Sequence, residues 1–152
     1  MDSSSDHFQK PSSTESLINK AIGLIARLGI GPAYLHLLEV RGRRSGKTYS
    51  TPVNLLDLNG HRYLVGARGH TAWSKNALAN GIVTLRRGPR SQQYRVLPLA
   101  DDMKPEVLKA YLDQYRRDVQ RFFAVSAGSP VGAFDAIAKM HPVFELSLVQ
   151  SP

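Results

Sequence analysis

The chain has 152 residues, of which 42% are hydrophobic and none is cysteine, and its formal net charge is +8. This length is enough to bury one core without disulfides, and the missing cysteines exclude a disulfide framework, a thiolate nucleophile and Cys-ligated zinc. Eleven of the twenty Lys and Arg residues, but only one of the twelve acidic residues, lie between positions 41 and 100, which predicts an anionic ligand for that block.

The N-terminal region divides into a tail and a helix. Residues 1–14 are polar and lack the basic and then apolar order of a signal peptide, so we expect a disordered tail. From 15 to 28 the apolar positions recur at helical spacing, and Ser12 with Glu15 fits a capping box. We therefore expect an amphipathic helix at the start of a single domain spanning 15–152. Covering a core is the commoner use of such a helix, and contact with a membrane surface stays open.

Six short segments have the composition of strands, and the turn residues between them indicate where the chain reverses. The first three are expected to form an antiparallel meander through a turn at 41–47 and an Asn59-Gly60 hairpin. The predicted strands are LHLLEV, TYSTPVNLLDL, HRYLVGA, IVTLRR, SQQYRVLPL and VFELSLV.

Three further helices complete the pattern. Thr71 is placed to cap a short helix through WSKNALA, a longer helix spans about 104–120, and a shorter one spans 131–139. Six strands with peripheral helices predict an α+β fold built on a small, closed or partly closed β-barrel.

The stretch RGRRSGKT, residues 41–48 and here called the basic turn, is similar to the phosphate-binding loop of nucleotide hydrolases. The first glycine of that loop would have to be at Arg41, and the segment that follows predicts a strand instead of a helix. We therefore interpret the basic turn as a hairpin connection that carries an anion-binding cluster.

The order of motifs from 41 to 85 resembles the deazaflavin-dependent nitroreductase family. The motifs are Gly-Arg-Arg-Ser-Gly-Lys at 42–47, Thr-Pro-Val at 51–53, Val-Gly-Ala-Arg-Gly at 65–69 and Trp-Ser-Lys-Asn-Ala-Leu-Ala-Asn at 73–80. The resemblance implies a split β-barrel and the 8-hydroxy-5-deazaflavin coenzyme F420. It also implies hydride transfer to an electron-poor acceptor such as a quinone, an activated enone or a nitro compound. The phosphodiester and polyglutamate tail of this coenzyme match the positive charge.

The resemblance also implies roles for individual residues. The basic turn would bind the anionic tail, and β-strand and helix residues would lie along the ring system. The loop before the tryptophan is shorter than in many relatives, so Arg68 is our candidate for a contact that Ser or Lys makes there. Tyr115 is our candidate proton donor. The cofactor-binding candidates are Arg43, Arg44, Lys47, Pro52, Val53, Asn54, Ala67, Arg68, Gly69, Trp73, Lys75 and Asn76.

Several alternatives stay open at this point. FMN is the alternative cofactor, and a cofactor carrier with little catalysis is the alternative function. A nucleic-acid-binding module is disfavoured, because the aromatic residues are scattered over several elements and form no stacking platform. The histidines show no metal-ligand spacing, so we expect no metal site. A cytoplasmic location is expected, with membrane association and homodimerisation left open.

Overall fold

A computed structural model describes residues 31–149 together with Lys20, Ile22 and Gly29. The predicted tail at 1–14 lies outside the described residues. So does most of the predicted helix at 15–28, in which Lys20 and Ile22 are described as helical. No helix in the described part of the chain is long and apolar enough to cross a membrane.

Seven strands form one antiparallel sheet in the described residues, in the order β2-β1-β5-β6-β7-β4-β3. Each predicted strand segment is confirmed, and one of them contains two strands. The strands are β1 Leu35–Arg41, β2 Thr48–Asn54, β3 Leu56–Leu58, β4 His61–Val65, β5 Ile82–Arg87, β6 Arg90–Pro98 and β7 Val143–Leu148.

The predicted three-stranded meander is wrong at Leu55. Strand β2 pairs with β1, whereas β3 pairs with β4, and these two strands occupy opposite edges of the sheet. Because Leu55 alone joins the two edge strands, the sheet has to curl until its edges meet. Both backbone groups of Leu55 are hydrogen-bonded. Its N–H donates to the Tyr34 carbonyl at 3.0 Å, and its carbonyl accepts a hydrogen bond from the Tyr115 hydroxyl. The curled sheet is the expected split β-barrel.

Two α-helices, α1 (Ala72–Asn80) and α2 (Pro105–Val119), confirm the predicted positions. Thr71 is at the N-cap of α1 but makes no side-chain capping bond, and Gly81 ends the helix with a φ of 76°. Pro105 is the first residue of α2, where its missing N–H costs no helical hydrogen bond. The predicted helix at 131–139 is a 3₁₀ helix, Val131–Met140, and shorter 3₁₀ turns are at Asp101–Met103 and Gln120–Phe122.

Both predicted turns have the expected backbone. Asn59 and Gly60 have φ values of 52° and 80°, the positive pair that a two-residue hairpin of type I′ requires. The basic turn connects β1 to β2 and is closed by a bond from the Gly42 N–H to the Lys47 carbonyl at 2.7 Å.

The buried side chains form two clusters. One fills the barrel between its strands and includes Leu38, Val83 and Phe144. The other lies between the sheet and α2, with Leu108 and Leu112 fully buried. The second cluster therefore holds the end of α2 against the barrel, where it forms one wall of a cleft.

Candidate functional site

A cleft of about 1510 Å³ is bordered by the basic turn, β2, the loop between β4 and α1, the start of α1 and the end of α2. Pockets for one small ligand are typically about 300–1,000 Å³. The cleft is therefore large enough for a coenzyme and a second molecule.

Nine of the twelve predicted cofactor-binding residues line this cleft. The other three and the predicted proton donor Tyr115 do not. Lys47 is exposed on the basic turn, Lys75 is exposed on α1, and Gly69 is buried within its loop. The roles of all thirteen residues stay predictions. The nine lining residues are Arg43, Arg44, Pro52, Val53, Asn54, Ala67, Arg68, Trp73 and Asn76.

The basic turn is held in one shape by its own hydrogen bonds. The Gly46 N–H donates to the Gly42 carbonyl at 3.0 Å, and the Lys47 N–H donates to the Ser45 hydroxyl at 3.1 Å. The Tyr49 ring packs so closely on Gly42 that a Cβ there would lie 2.6 Å from a ring carbon. The Tyr49 and Ser45 hydroxyls are 3.2 Å apart. A side chain at position 42 would displace Tyr49 and deform the turn.

Helix α1 fastens the basic turn to the rest of the cleft. The buried Asn76 carboxamide oxygen accepts the Arg43 backbone N–H at 3.0 Å and the Arg43 Nη1 at 2.8 Å. The Asn80 Nδ2 donates to the Arg41 carbonyl at 2.7 Å and to the Asn76 carbonyl at 2.9 Å. The position of the Arg43 guanidinium is thus determined by a helix side chain 33 residues away in sequence.

Strand β2 is an edge strand, as expected for a strand that contains Pro52. It pairs with β1 alone among the described strands, in a register that places Pro52 opposite Leu37. Alternate backbone groups of β2 are therefore left without a strand partner next to the cleft. Such groups are hydrogen-bonding sites for the polar edge of a planar ligand.

Trp73 contributes to both the core and the cleft. Its ring lies 6.1 Å from that of Phe144, centroid to centroid, and it packs against the cluster inside the barrel. The same side chain lines the cleft. A large aromatic held from behind presents a fixed apolar face to a ligand.

The loop that carries Ala67 and Arg68 is anchored from the segment before β7. The Gly66 N–H donates to the Pro142 carbonyl at 2.8 Å, and His141 Nδ1 lies 3.0 Å from the Gly66 carbonyl. A Cβ at position 66 would lie 2.5 Å from the Pro142 ring, so glycine is needed for this approach.

The end of α2 and the turn after it supply a further wall of the cleft. The Phe122 ring has the Arg68 guanidinium carbon 4.4 Å from its centroid and the Arg121 guanidinium carbon 4.7 Å from it. Arg117 and Asp118 line the cleft beside them. The four-residue spacing of the two arginines was a visible signal, but it acquires meaning only with the packing of α2. Tyr34 and Tyr49 were also missed as lining residues.

Tyr115 lies behind this wall and is 3% exposed. Its hydroxyl donates to the Leu55 carbonyl and accepts a bond from Gln114 Nε2 at 3.0 Å. Its ring lies 4.8 Å from Tyr34 and 5.1 Å from Tyr111, centroid to centroid. Burial raises the pKa of the Tyr115 hydroxyl above its ordinary value, and so favours the neutral form.

The family model described as F420H(2)-dependent quinone reductase matches residues 18–127, more than half of the chain. No curated protein matches the chain.

Solved structures share the fold at low sequence identity. An F420-H2 dependent reductase, FDR-A, is 20% identical, with 76% of this chain and 95% of that one covered and a TM-score of 0.51. A domain-swapped dimer is 18% identical, with 90% and 100% covered and a TM-score of 0.54. A NimC/NimA family protein from Clostridium acetobutylicum is 13% identical, with 93% and 84% covered and a TM-score of 0.52.

Proposed function

The chain belongs to the F420H(2)-dependent quinone reductase family, and from that premise we propose that its cleft holds coenzyme F420 beside the acceptor. The protein is a deazaflavin-dependent oxidoreductase that reduces an electron-poor acceptor. The observation that carries the assignment of the site is the cleft itself. It combines a rigid cationic turn, an edge strand and a supported tryptophan in a volume larger than one ligand needs.

The coenzyme supplies a hydride when it is bound in its reduced form, and the protein supplies binding, orientation and electrostatics. Reduction of a quinone to a quinol requires that hydride and one proton. The chain's own task is therefore to hold two planar molecules in contact and to let a proton reach the acceptor oxygen.

The residues of the basic turn fit an anionic tail. Arg43 uses Nη1 to bond Asn76, which orients the guanidinium and leaves its other N–H groups for a phosphate or carboxylate. Arg44 lines the cleft beside it, and exposed Lys47 adds charge at the same turn. Because the turn is already rigid, an anion binds there with little ordering cost.

Residues with small or flat side chains fit the ring system. Pro52 and Val53 present apolar surface along β2, and the free backbone groups of that strand provide polar contacts. Ala67 permits close approach from the loop after β4, and Trp73 excludes water from one side.

The source of the proton is a separate proposal. Tyr115 was predicted as the donor, but its hydroxyl already bonds the Leu55 carbonyl behind the cleft wall. It would have to break that bond to reach an acceptor. The exposed basic turn places one side of the cleft at the protein surface, so we propose water as the donor. The role of Tyr115 stays a prediction that kinetics can decide.

The central experiment is a fluorescence titration of the purified chain with F420, FMN, NADH and NADPH. We expect F420 to bind most tightly and the binding to weaken with added salt, since the anionic tail contacts screened charges. Tighter binding of FMN would favour the alternative cofactor. Binding of F420 without oxidation of its reduced form by menadione would favour a cofactor carrier. No F420 binding at all would refute the proposal.

Assembly and location form a further part of the proposal. We propose a single domain over 15–152 that forms a homodimer, supported by the domain-swapped dimer among the structural neighbours. Light scattering after size-exclusion chromatography tests the dimer. The lack of cysteine suits a reducing cytoplasm. Membrane contact through residues 15–28 rests on the predicted amphipathic helix, and co-sedimentation with anionic lipid vesicles tests it.

A further inference from the structure

Resting on the proposed function, we propose that Arg87 is a positioning residue for the acceptor. Arg87 lies outside the cleft and acts through residues 31–35, here called the entry segment, which lead into β1. Its guanidinium holds the entry segment in the shape that the acceptor requires. Loss of Arg87 therefore impairs reduction of the acceptor and leaves coenzyme binding intact.

The first observation is a set of backbone carbonyls that converge on Arg87, the last residue of β5. Its Nη1 donates to the Leu35 carbonyl at 2.9 Å, and its Nη2 donates to the Gly31 carbonyl at 2.7 Å. The same Nη2 lies 3.5 Å from the Gly29 carbonyl. A planar guanidinium directs several donors in fixed directions, which a flexible lysine ammonium does not reproduce. Arg87 therefore fixes both ends of the entry segment.

The second observation is that the entry segment lies beyond the strand pairing on this side. The register between β1 and β5 ends at Leu37 and Arg86, so Arg87 gives the Leu35 carbonyl a donor where the ladder has stopped. Gly31 has a φ of 95°, which glycine adopts without strain, and the chain can turn there towards the same guanidinium. In the described part of the chain no carboxylate pairs with Arg87, so these carbonyls are its partners.

The third observation is that the entry segment forms part of the cleft. The Tyr34 ring lies 4.8 Å from that of Tyr115 on α2, centroid to centroid, and the Tyr34 carbonyl accepts the Leu55 N–H. The segment contributes apolar and aromatic surface, which suits a quinone ring better than an anionic tail. None of its residues belongs to the set proposed for the coenzyme, so we assign this surface to the acceptor. Its cleft-lining residues are Gly31, Pro32, Tyr34 and Leu35.

Release of the entry segment would misplace the acceptor. Without Arg87, the Gly31 and Leu35 carbonyls lose their donor, and Tyr34 between them loses its fixed position. Hydride transfer requires reacting atoms about 3–3.5 Å apart, and a misplacement of about 1 Å can cost about 10²-fold in rate. The basic turn is fastened separately by Asn76, so the proposed coenzyme contacts there persist.

The test compares Arg87→Ala and Arg87→Lys with the parent protein in the reduction of menadione by reduced F420. We expect kcat/KM for menadione to fall by about 10- to 100-fold in Arg87→Ala, while the Kd for F420 stays at the parental value. Arg87→Lys keeps the charge but loses the fork, so its kcat/KM should lie between the two. Hydrogen exchange at the Leu55 amide, which bonds the Tyr34 carbonyl, should become faster in both variants without any coenzyme present.

Arg86→Ala is the matched control. Arg86 precedes Arg87 on β5, its side chain points to the opposite face of the sheet, and its Nε pairs with Glu39 at 3.1 Å outside the cleft. We expect it to lower the melting temperature and to keep the parental kcat/KM. If Arg87→Ala also lowers only the melting temperature, Arg87 has a purely structural role and the inference is overturned. A rise in the Kd for F420 that accounts for the loss of kcat/KM would overturn it too. Should Arg87→Ala fail to fold, Arg87→Lys carries the same comparison.

Quenching of Trp73 fluorescence by menadione, measured without coenzyme, distinguishes this inference from the proposed function. Trp73 is the single tryptophan of the chain, and it lines the cleft. If the parent binds no F420 but binds menadione more tightly than Arg87→Ala does, the proposed function fails and the positioning role stands. If F420 binds and supports turnover, but menadione affinity and kcat/KM are equal in the parent and Arg87→Ala, the proposed function stands and the inference fails.

Discussion

Replacing Tyr115 by Phe separates a structural role from a catalytic one. The change keeps the ring, and with it the contacts to Tyr34 and Tyr111, but removes the hydroxyl that bonds Leu55 and Gln114. A buried polar group left without a partner costs about 1–3 kcal/mol. The Leu55 carbonyl is such a group, at the one residue that joins the two edges of the sheet. We therefore expect the free energy of unfolding to fall by about 1–3 kcal/mol, measured by urea denaturation.

Turnover is the second measurement on the same variant. A structural role predicts F420 affinity and menadione reduction close to those of the parent under conditions where both proteins are folded. A proton-donating role predicts a turnover lower by about 10²–10⁴-fold. The bond from Tyr115 to the Leu55 carbonyl leads us to expect the first result.

Tyr94→Phe is the matched control for this comparison. Tyr94 is also buried, and its hydroxyl bonds Gln92 and Arg62, but it lies inside the barrel and does not line the cleft. It should lose less stability than Tyr115→Phe, because the exposed Gln92 and half-buried Arg62 can bond water instead, and it should keep its turnover. A Tyr115→Phe protein with parental stability and a hundredfold lower turnover would refute the structural reasoning.

Three other changes have defined outcomes. Replacing Arg43, Arg44 and Lys47 together by Ala should weaken F420 binding by at most several kcal/mol, since charge-assisted bonds contribute about 1.5–3 kcal/mol each and are not additive. The variant should still fold. Equal F420 binding by the parent and the variant in a low-salt titration would show that the basic turn does not bind the coenzyme. Asn76→Ala should weaken F420 binding although Arg43, Arg44 and Lys47 are unchanged, because the basic turn loses its hydrogen bonds to the Asn76 side chain. Hydrogen exchange at the Arg43 amide should rise in this variant, and an unchanged exchange rate would count against the anchor.

The third change is in pH. Burial raises the pKa of the Tyr111 hydroxyl above its ordinary 10.0, so the folded chain keeps the proton that the unfolded chain loses. Its contribution to stability is complete below pH 10 and falls as the pH rises further, by at most about 1.4 kcal/mol per pH unit. Urea unfolding between pH 8 and 11 should show a shallower decline in Tyr111→Phe, and parallel curves would contradict this.

Features that depend on neighbouring residues were predictable from the sequence. Asn59-Gly60 predicts a two-residue hairpin, because both positions must adopt a positive φ that other residues rarely tolerate. The edge position of Pro52 follows from its missing N–H, and the end of α1 follows from Gly81. The basic turn was recognised for the same reason, since its shape and charge reside in consecutive residues.

Features that depend on distant residues were decided by the tertiary structure. Nothing in the strand-like segment at 48–58 indicates that Leu55 joins opposite edges of a sheet, because the edge positions depend on the pairing of all seven strands. From the sequence, Arg117 and Arg121 are only cations near a helix end. The packing of α2 against the sheet places them at the cleft that Arg68 also lines. Turn geometry is determined by local sterics. Which residues line a cleft is determined by which elements pack their apolar faces together, and that packing depends on many residues far apart in the chain.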